Sequence, residues 1–232
     1  MVGYYKVTYP DGTMSDGHTR PEDQWAKFRL PASVRGLKVY DYGTWDGGLA
    51  IEALRRGAAE VWGLDCFVWE MWRETRANFD YNVARCAPTI KSAYVETESV
   101  PERRLNETSV INPEKMSIEQ FADKHGPADL VVAAGVFYHL KNPYKFIEDL
   151  RLLVAPRGLL FLTTWCLNDA SAPIMKFSYG WRNDDTNYWL ASPQCVIDMA
   201  KAAGLRVVDH HIVEHGPKES PEPLIMFVAE RS

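Results

Sequence analysis

The sequence predicts a doubly wound α/β fold whose sheet is mostly parallel and ends in a hairpin. Short apolar strands alternate with helical segments from about residue 37 to residue 204, a pattern typical of parallel sheets with helices on both faces. The last two apolar strands, 205–215 and 224–232, follow one another without an intervening helix. We therefore expect one strand of a C-terminal hairpin to run antiparallel to the rest.

The first half of the chain predicts an arm followed by the start of the core. Residues 1–30 are polar, aromatic and rich in turns, so we expect an arm or cap ahead of a main domain over residues 31–232. Apolar periodicity and glycine positions then predict the elements in order. These are a strand at 37–43, a helix from 49 that ends before Gly57, a strand at 60–65, one helix at 67–84, irregular structure over 86–110 and a third strand near 109–111.

The second half continues the alternation with clearer helix caps. Ser117 and Gln120 fit a capping box, and Ser192 fits the N-cap of a late helix. The expected elements are a helix at 116–126, a buried strand at 128–137, a helix from Pro143 that closes at Pro156 and Gly158, a strand at 159–165, a polar and aromatic insertion at about 166–190, and a helix at 192–204.

Composition and charge restrict the class of partner. The chain has 232 residues, 46% apolar and 25% charged, which suits one domain without excluding two. Its net charge of -5 argues against broad, charge-driven binding to nucleic acid, although a local basic groove stays open. We therefore expect a small-molecule ligand more than a nucleic acid, and the sequence leaves a homo-oligomer open.

Cysteine spacing and apolar runs bear on compartment. None of the four cysteines forms a C-x-x-C pair, which argues against a zinc or dithiol site and favours free thiols in a reducing compartment. The first residues lack a basic segment followed by an apolar one, and no apolar run reaches membrane-spanning length. We expect a cytoplasmic protein without a membrane or metal partner.

The first chemical motif, VYDYGTWDGG, lies between the first strand and its helix. Gly43 and Gly47 would let a ligand approach the backbone, and the helix that follows points free N–H groups at the same crevice. Trp45 stands where a dinucleotide fingerprint has its second glycine, which argues against a pyrophosphate and a nicotinamide enzyme. Asp41 would attract a cation. The motif thus predicts a ligand without a pyrophosphate, although a tight strand–helix turn alone can also use glycines.

The second motif is Asp65, the acid that ends the second strand. It follows Gly47 by 18 residues, close to the offset of about 20 at which an acid meets ribose hydroxyls. A carboxylate can accept from both hydroxyls of an adenosine ribose. The alternative is a solvated acid at the end of a strand.

These motifs resemble the class I S-adenosylmethionine-dependent methyltransferases, which have a Rossmann-like fold. Within that class, D-x-G-x-W-D-G and the segment GVFYHLKNP at 135–143 are similar to a subgroup that includes tRNA wobble-uridine methyltransferase-like proteins. The resemblance covers most of residues 9–230. It implies S-adenosylmethionine as cofactor. The first turn would surround its methionine part through Asp41, Gly43, Thr44 and Gly47, with Trp45 in the same turn, and Asp65 would hold the ribose. Cys66 and Met116 (or Lys115 or Ser117) would contact the adenine, and Gly135 and Tyr138 would lie beside the methyl group.

Candidates for catalysis and acceptor binding are fewer and more open. His139 follows the fourth strand, and a histidine pKa near neutrality suits a general base; the alternative is a residue that holds its loop by hydrogen bonding. The candidates for the acceptor are His18 and Trp25 in the arm and Arg182, Tyr188 and Trp189 in the insertion; each of these has a packing or surface role as the alternative.

Three functions remain open from the sequence. The first is methyl transfer to an oxygen or nitrogen atom of a small molecule. The second is methyl or carboxymethyl transfer to a tRNA wobble uridine, which the motif similarity favours and the acidic charge disfavours. The third is a partner protein that binds the cofactor without catalysis.

Overall fold

The computed structural model describes residues 3–97, 109, 112–168, 172–216 and 222–231. The chain divides into two compact units, Met1–His125 and Gly126–Ser232. The division into an arm at 1–30 and a main domain at 31–232 stays a prediction. Within the described ranges, no helix combines the length and the apolar character that crossing a membrane requires.

The first unit contains a parallel sheet with the strand order β4-β3-β2-β1. Asp41 of β1 pairs with Gly63 of β2, and Tyr42 pairs with Leu64, so the carboxyl ends of these strands lie side by side. The elements are α1 (Pro21–Lys27), β1 (Lys38–Tyr42), α2 (Gly48–Arg55), β2 (Glu60–Asp65), α3 (Phe67–Met71), α4 (Arg73–Cys86), β3 (Lys91–Glu96), β4 (Met116–Ser117) and α5 (Ile118–His125).

Local signals explain several of these elements. β1 is buried from Val39 through Tyr42, as expected of a strand covered on both faces of a parallel sheet. The capping box predicted before α5 is confirmed. The Gln120 backbone N–H donates to Ser117 Oγ at 3.2 Å, and the Ser117 backbone N–H donates to Gln120 Oε1 at 2.9 Å.

Two predictions for this unit are wrong. The single helix at 67–84 is two helices, because Trp72 is extended (φ -133°, ψ 100°) and separates α3 from α4. The segment 86–110 is not irregular throughout, because β3 occupies Lys91–Glu96 and buries Ala93 and Val95 on alternate positions. Residues 98–108 and the third strand predicted at 110 and 111 lie outside the described residues.

The second unit contains a sheet with the strand order β5-β6-β10-β9. β5 and β6 are parallel, and β10 is antiparallel to both of its neighbours, which confirms the fold class and the hairpin with one reversed strand. The elements are β5 (Ala128–Ala134), a 3₁₀ turn (Phe137–His139), α6 (Pro143–Leu153), β6 (Val154–Trp165), β7 (Met175–Phe177), a 3₁₀ turn (Trp181–Asn183), β8 (Trp189–Ala191), α7 (Pro193–Ala202), β9 (Leu205–Glu214) and β10 (Leu224–Arg231).

Helix ends and strand register complete this unit. The N-cap predicted at Ser192 is confirmed, since its hydroxyl accepts from the Cys195 N–H at 3.3 Å. The helix from Pro143 ends at Leu153 and not at Pro156 and Gly158, because β6 begins at once. The insertion folds partly as the antiparallel hairpin of β7 and β8. The pairing of β9 with β10 contains two register shifts.

Candidate functional site

The turn between β1 and α2 has a backbone that requires left-handed residues. Gly43 (φ 76°), Trp45 (φ 56°) and Gly47 (φ 88°) all adopt positive φ, which glycine accepts without strain. The N–H groups of Gly43 and Thr44 donate to the Leu64 carbonyl of β2 at 2.8 and 3.2 Å. These bonds hold the turn against the end of the neighbouring strand, where Asp65 follows.

The Asp41 carboxylate braces this turn. Its Oδ2 accepts from the Thr44 hydroxyl at 2.7 Å and from the Ala50 N–H, in the first turn of α2, at 3.1 Å. The side chain is buried, and burial raises the pKa of this carboxyl to about 6. Asp41 therefore places a buried acid directly behind the turn predicted to surround the methionine part of the cofactor.

Asp65 ends β2 and reaches the same turn. Its Oδ2 accepts from the Trp45 N–H at 3.1 Å, and its Oδ1 accepts from the Val68 N–H at 3.4 Å. Burial raises the pKa of this carboxyl to about 7, against the lowering effect of these backbone donors. Because a carboxylate offers about four lone pairs, Asp65 has capacity for further donors such as hydroxyl groups.

Cys66 and Met116 lie in the same unit as Asp65. Cys66 follows Asp65 directly and is buried, which raises the pKa of its thiol. Met116 is half-buried and pairs with Val95 of β3 through β4. The thiol is therefore neutral at physiological pH and suits contact with an apolar or aromatic ligand surface.

A buried acid near Cys66 escaped the sequence analysis. Glu70 in α3 is fully buried; its Oε1 accepts from the Asn112 N–H at 3.0 Å, and its Oε2 lies 3.4 Å from Lys115 Nζ. Lys115 also pairs with Glu96 at 2.8 Å. The one available signal was a glutamate within the apolar run FVWEM. Lys115, an alternative for the adenine edge, is thus engaged by two carboxylates.

The N-terminal arm contacts the turn through Tyr5. The Tyr5 N–H donates to Asp46 Oδ2 at 3.0 Å, and a Cβ atom added at Gly48 would lie 2.1 Å from the Tyr5 ring. The Tyr5 ring that rests on the start of α2 therefore leaves no room for a side chain at Gly48. Burial raises the pKa of the Asp46 carboxyl to about 6.

The two arm candidates for acceptor binding lie in different surroundings. His18 contacts Tyr4, with ring centroids 4.9 Å apart, and Tyr4 contacts Trp45 of the turn at 5.9 Å. Trp25 is 1% exposed in α1, and its indole N–H donates to the Pro31 carbonyl at 2.9 Å. His18 is thus close to the turn, whereas Trp25 packs in the interior of this unit.

The second unit holds the residues that follow β5. Gly135 has φ 74°, and its N–H donates to Thr163 Oγ1 at 2.9 Å. The Tyr138 hydroxyl lies 3.4 Å from the position of a Cβ atom at Gly135, an ordinary contact distance, so the positive φ is what favours glycine here. His139 Nδ1 lies 2.7 Å from Thr186 Oγ1 in the insertion. No sequence pattern predicts this contact between the two segments.

The insertion brings its aromatic residues to the same 3₁₀ turn. The Tyr188 N–H donates to the Tyr138 carbonyl at 3.0 Å, and the Trp189 indole donates to the Lys141 carbonyl at 3.3 Å. The Phe177 ring packs against Trp189 with centroids 5.1 Å apart. Within this unit the insertion is therefore fastened beside Tyr138 and His139.

Arg182 occupies a left-handed position in the insertion. It has φ 60° and ψ 31°, and its guanidinium lies 4.1 Å from the centroid of the Trp165 ring and 5.4 Å from that of Trp181. This geometry is that of a cation–π contact. The guanidinium edge carries several N–H donors, and these suit an acidic or carbonyl group of a ligand.

The donor set of the first unit suits the cofactor that the resemblance implies. Asp41 and Asp65 are buried carboxylates whose raised pKa values show that burial disfavours their charged forms. A nearby positive charge would offset that effect, and S-adenosylmethionine carries positive charge as well as ribose hydroxyls. In the described ranges, no three His, Cys, Asp or Glu side chains are grouped as a metal site would require.

Comparisons with known proteins identify the family. The sequence matches the family described as a methyltransferase domain over residues 17–210. The fold is similar to an S-adenosylmethionine-dependent methyltransferase from Mesorhizobium loti (13% identity, 90% of this chain and 97% of that chain, TM-score 0.59). It is also similar to the 1,6-didemethyltoxoflavin-N1-methyltransferase from Burkholderia thailandensis, solved with 1,6-didemethyltoxoflavin and S-adenosylhomocysteine (15% identity, 91% of this chain and 82% of that chain, TM-score 0.57).

At 13% and 15% identity, the similarity to these two structures supports the fold alone. A comparison with curated protein sequences finds no significant match. The family match spans well over half of the chain. The chain therefore belongs to the methyltransferase domain family.

Proposed function

We propose that this enzyme transfers a methyl group to an oxygen or nitrogen atom of a small-molecule acceptor. The observation that carries the proposal is the attachment of the aromatic insertion to the turn of Tyr138 and His139. It places flat side chains and a candidate base within one unit. The Burkholderia 1,6-didemethyltoxoflavin-N1-methyltransferase, solved with bound 1,6-didemethyltoxoflavin, has a similar fold.

The cofactor side of the proposal rests on the first unit. S-adenosylmethionine, when bound, supplies an activated methyl group on a positively charged sulfur. Asp65 would accept from the ribose hydroxyls, and the negative charge of Asp41 would favour the cationic part of the cofactor. Gly43 and Gly47 would let the methionine part approach the backbone of the turn that also contains Trp45, and Cys66 and Met116 would contact the adenine.

The acceptor side rests on the second unit. Methyl transfer is an in-line displacement, so holding the acceptor in the correct direction supplies much of the rate. Tyr188 and Trp189 offer flat surfaces, and Arg182 pairs with an acidic or carbonyl group of the acceptor. His139 would take the proton of the acceptor atom as that atom bonds to the methyl carbon and the bond between the methyl carbon and sulfur breaks. Gly135 and Tyr138 border the reacting group.

Transfer to a tRNA wobble uridine is the second candidate, favoured by the motif GVFYHLKNP. Charge argues against it. Several cationic side chains are already paired with carboxylates, such as Arg76 with Asp80 and Lys145 with Asp149. The charge-driven part of binding to an RNA backbone needs available cations. A net charge of -5 adds to this argument.

Labelled methyl groups would separate the two candidates. The enzyme is incubated with S-adenosylmethionine carrying a labelled methyl group and with a cell extract divided into filterable metabolites and total RNA. We expect label in the metabolite fraction, and the Asp65→Ala variant should lose that transfer. Label that enters RNA, is released by ribonuclease and falls with added salt would support the tRNA candidate and overturn the proposal.

A further inference from the structure

The described contacts of His139 Nδ1 favour one position for the hydrogen atom of the neutral ring. We propose that Thr186 and Asp184 are positioning residues that hold neutral His139 with its hydrogen on Nδ1, the form whose Nε2 can serve as a base. The role of Nε2 rests on the proposed function. The position of the hydrogen can be measured without any acceptor or cofactor.

The first argument comes from the Thr186 backbone. His139 Nδ1 lies 3.3 Å from the Thr186 carbonyl oxygen and 2.7 Å from its hydroxyl oxygen. A carbonyl oxygen accepts hydrogen bonds and cannot donate one. The carbonyl therefore favours the form of the imidazole in which Nδ1 is the donor. The hydroxyl alone would fit either form, since it can donate or accept.

The second argument is that Asp184 fixes the direction of the Thr186 hydroxyl. Thr186 Oγ1 lies 2.5 Å from Asp184 Oδ1, and the Thr186 N–H donates to the same oxygen at 2.8 Å. An ionised carboxylate only accepts, and a threonine hydroxyl has one hydrogen. That hydrogen points at Asp184, so the hydroxyl oxygen can only accept from His139 Nδ1.

The backbone holds this chain of contacts in place. Arg182 and Asn183 have φ 60° and 55°, and the Asn187 N–H closes the next turn on the Asp184 carbonyl at 3.0 Å. The Tyr188 N–H bonds to the Tyr138 carbonyl at 3.0 Å, next to His139. The turn that carries Thr186 and the turn that carries His139 are thus fixed to one another within the second unit.

The same contacts accommodate the proton that the ring receives. When the acceptor atom transfers its proton to Nε2, both ring nitrogens carry hydrogen and the ring becomes positive. His139 Nδ1 keeps donating to Thr186, and the Asp184 carboxylate lies one hydroxyl group away from the new charge. Charge-assisted hydrogen bonds of this kind are stronger than neutral ones. The proton then leaves to water.

Nitrogen-15 spectra of the labelled histidine rings test the proposal. Two-bond nitrogen–hydrogen correlations distinguish the two neutral forms, and the spectrum of His139→Gln assigns the signals of His139. In the wild-type protein we expect Nδ1 to be the protonated nitrogen and Nε2 the unprotonated one. Thr186→Ser should preserve this pattern. Thr186→Val, which keeps the carbonyl but loses the hydroxyl, should shift the population toward hydrogen on Nε2.

Asp184→Ala and Asp185→Ala form a matched pair, because they remove the same charge from neighbouring positions. We expect Asp184→Ala to shift the signals as Thr186→Val does and Asp185→Ala to leave them unchanged. This pair also decides the matter if Thr186→Val fails to fold. Wild-type protein with its hydrogen on Nε2, or variants at 184 and 186 that keep the wild-type pattern, would overturn the proposal.

Activity gives a second measurement. Thr186→Val should lower kcat by about tenfold, because the fraction of His139 that carries its hydrogen on Nε2 cannot act as a general base. Thr186→Ser, which keeps the hydroxyl, should have a kcat close to that of the wild-type protein. If no small-molecule acceptor is methylated but the spectra behave as expected, the proposed function fails and the positioning roles stand. If transfer occurs and the spectra do not respond to these variants, the positioning roles fail alone.

Discussion

Replacing Asp65 with asparagine removes a buried negative charge while nearly keeping the side chain's size. Burial raises the pKa of the Asp65 carboxyl to about 7, whereas an aspartate in an unfolded chain titrates near about 3.9. Between these values the folded protein holds a proton that the unfolded chain has released. The free energy of unfolding therefore falls as the pH rises from about 4 to about 7, and it levels off above that.

The size of the effect follows from the two pKa values. A difference of about three pKa units corresponds to about 4 kcal/mol in the free energy of unfolding. The Trp45 and Val68 N–H groups donate to different oxygens of Asp65, and asparagine has an NH2 group in place of one oxygen, so one hydrogen bond is lost at a cost of about 1 kcal/mol. We expect Asp65→Asn to raise the free energy of unfolding above that of the wild-type protein by about 2 to 3 kcal/mol at pH 8 and by close to nothing at pH 5.

Ligand affinity should change in the opposite direction. If Asp65 accepts from ribose hydroxyls, its replacement should weaken the binding of S-adenosylhomocysteine at pH 8 by about tenfold to a hundredfold, the range for hydrogen bonds to a charged group. Urea unfolding at pH 5 and pH 8 measures the stability, and calorimetry measures the affinity. His139→Ala should change the affinity less than Asp65→Ala does.

Asp123→Asn is the matched control, because Asp123 is exposed on α5 and the chemical change is the same. It should alter neither the pH dependence of stability nor the affinity. An Asp65→Asn variant that is no more stable than the wild type at pH 8 would refute the buried-charge argument. A stability gain with unchanged affinity would instead refute the ribose contact.

Three further substitutions separate folding from binding. Gly48→Ala places a methyl group where the Tyr5 ring lies, so it should lower the free energy of unfolding by about 1 to 3 kcal/mol. It should also expose residues 3–19 to limited proteolysis, and an unchanged digestion pattern would contradict the packing of the arm. Ser117→Ala removes the hydroxyl that accepts from the Gln120 backbone N–H at the start of α5 and should cost about 1 kcal/mol in urea unfolding. Trp25→Phe loses the hydrogen bond to the Pro31 carbonyl and should lower the free energy of unfolding by about 1 kcal/mol. The KM for the acceptor should not change, and a raised KM would indicate that Trp25 contacts the acceptor.

Elements with a strong local signal were predictable from the sequence. The caps at Ser117 and Ser192 depend on residues three positions away, and the parallel strands have continuous apolar stretches. The break at Trp72 was not predictable, because the helical pattern runs through it. Its extended backbone accompanies a ring contact with Trp45, 6.0 Å away between centroids, and such a contact has no period in the sequence.

The candidate site was likewise predictable in part from the sequence. Asp65 was predictable because it ends an apolar strand at a characteristic distance from the glycine turn. The engagement of Glu70 by Lys115 and the contact of His139 with Thr186 join residues 45 and 47 positions apart. Contacts of that separation arise from the tertiary fold, so residue type and spacing along the chain did not reveal them.

The two register shifts in β9 affect how the protein behaves when it is concentrated. Among the described strands, β9 has a neighbour on one side, and it displays apolar side chains at Val208 and Ile212. A regular strand of this kind would offer its backbone to another molecule. Bulges break up that row of donors and acceptors, and Asp209 and Glu214 add charge to it. We expect light scattering to show no strand-mediated growth of aggregates as protein concentration rises.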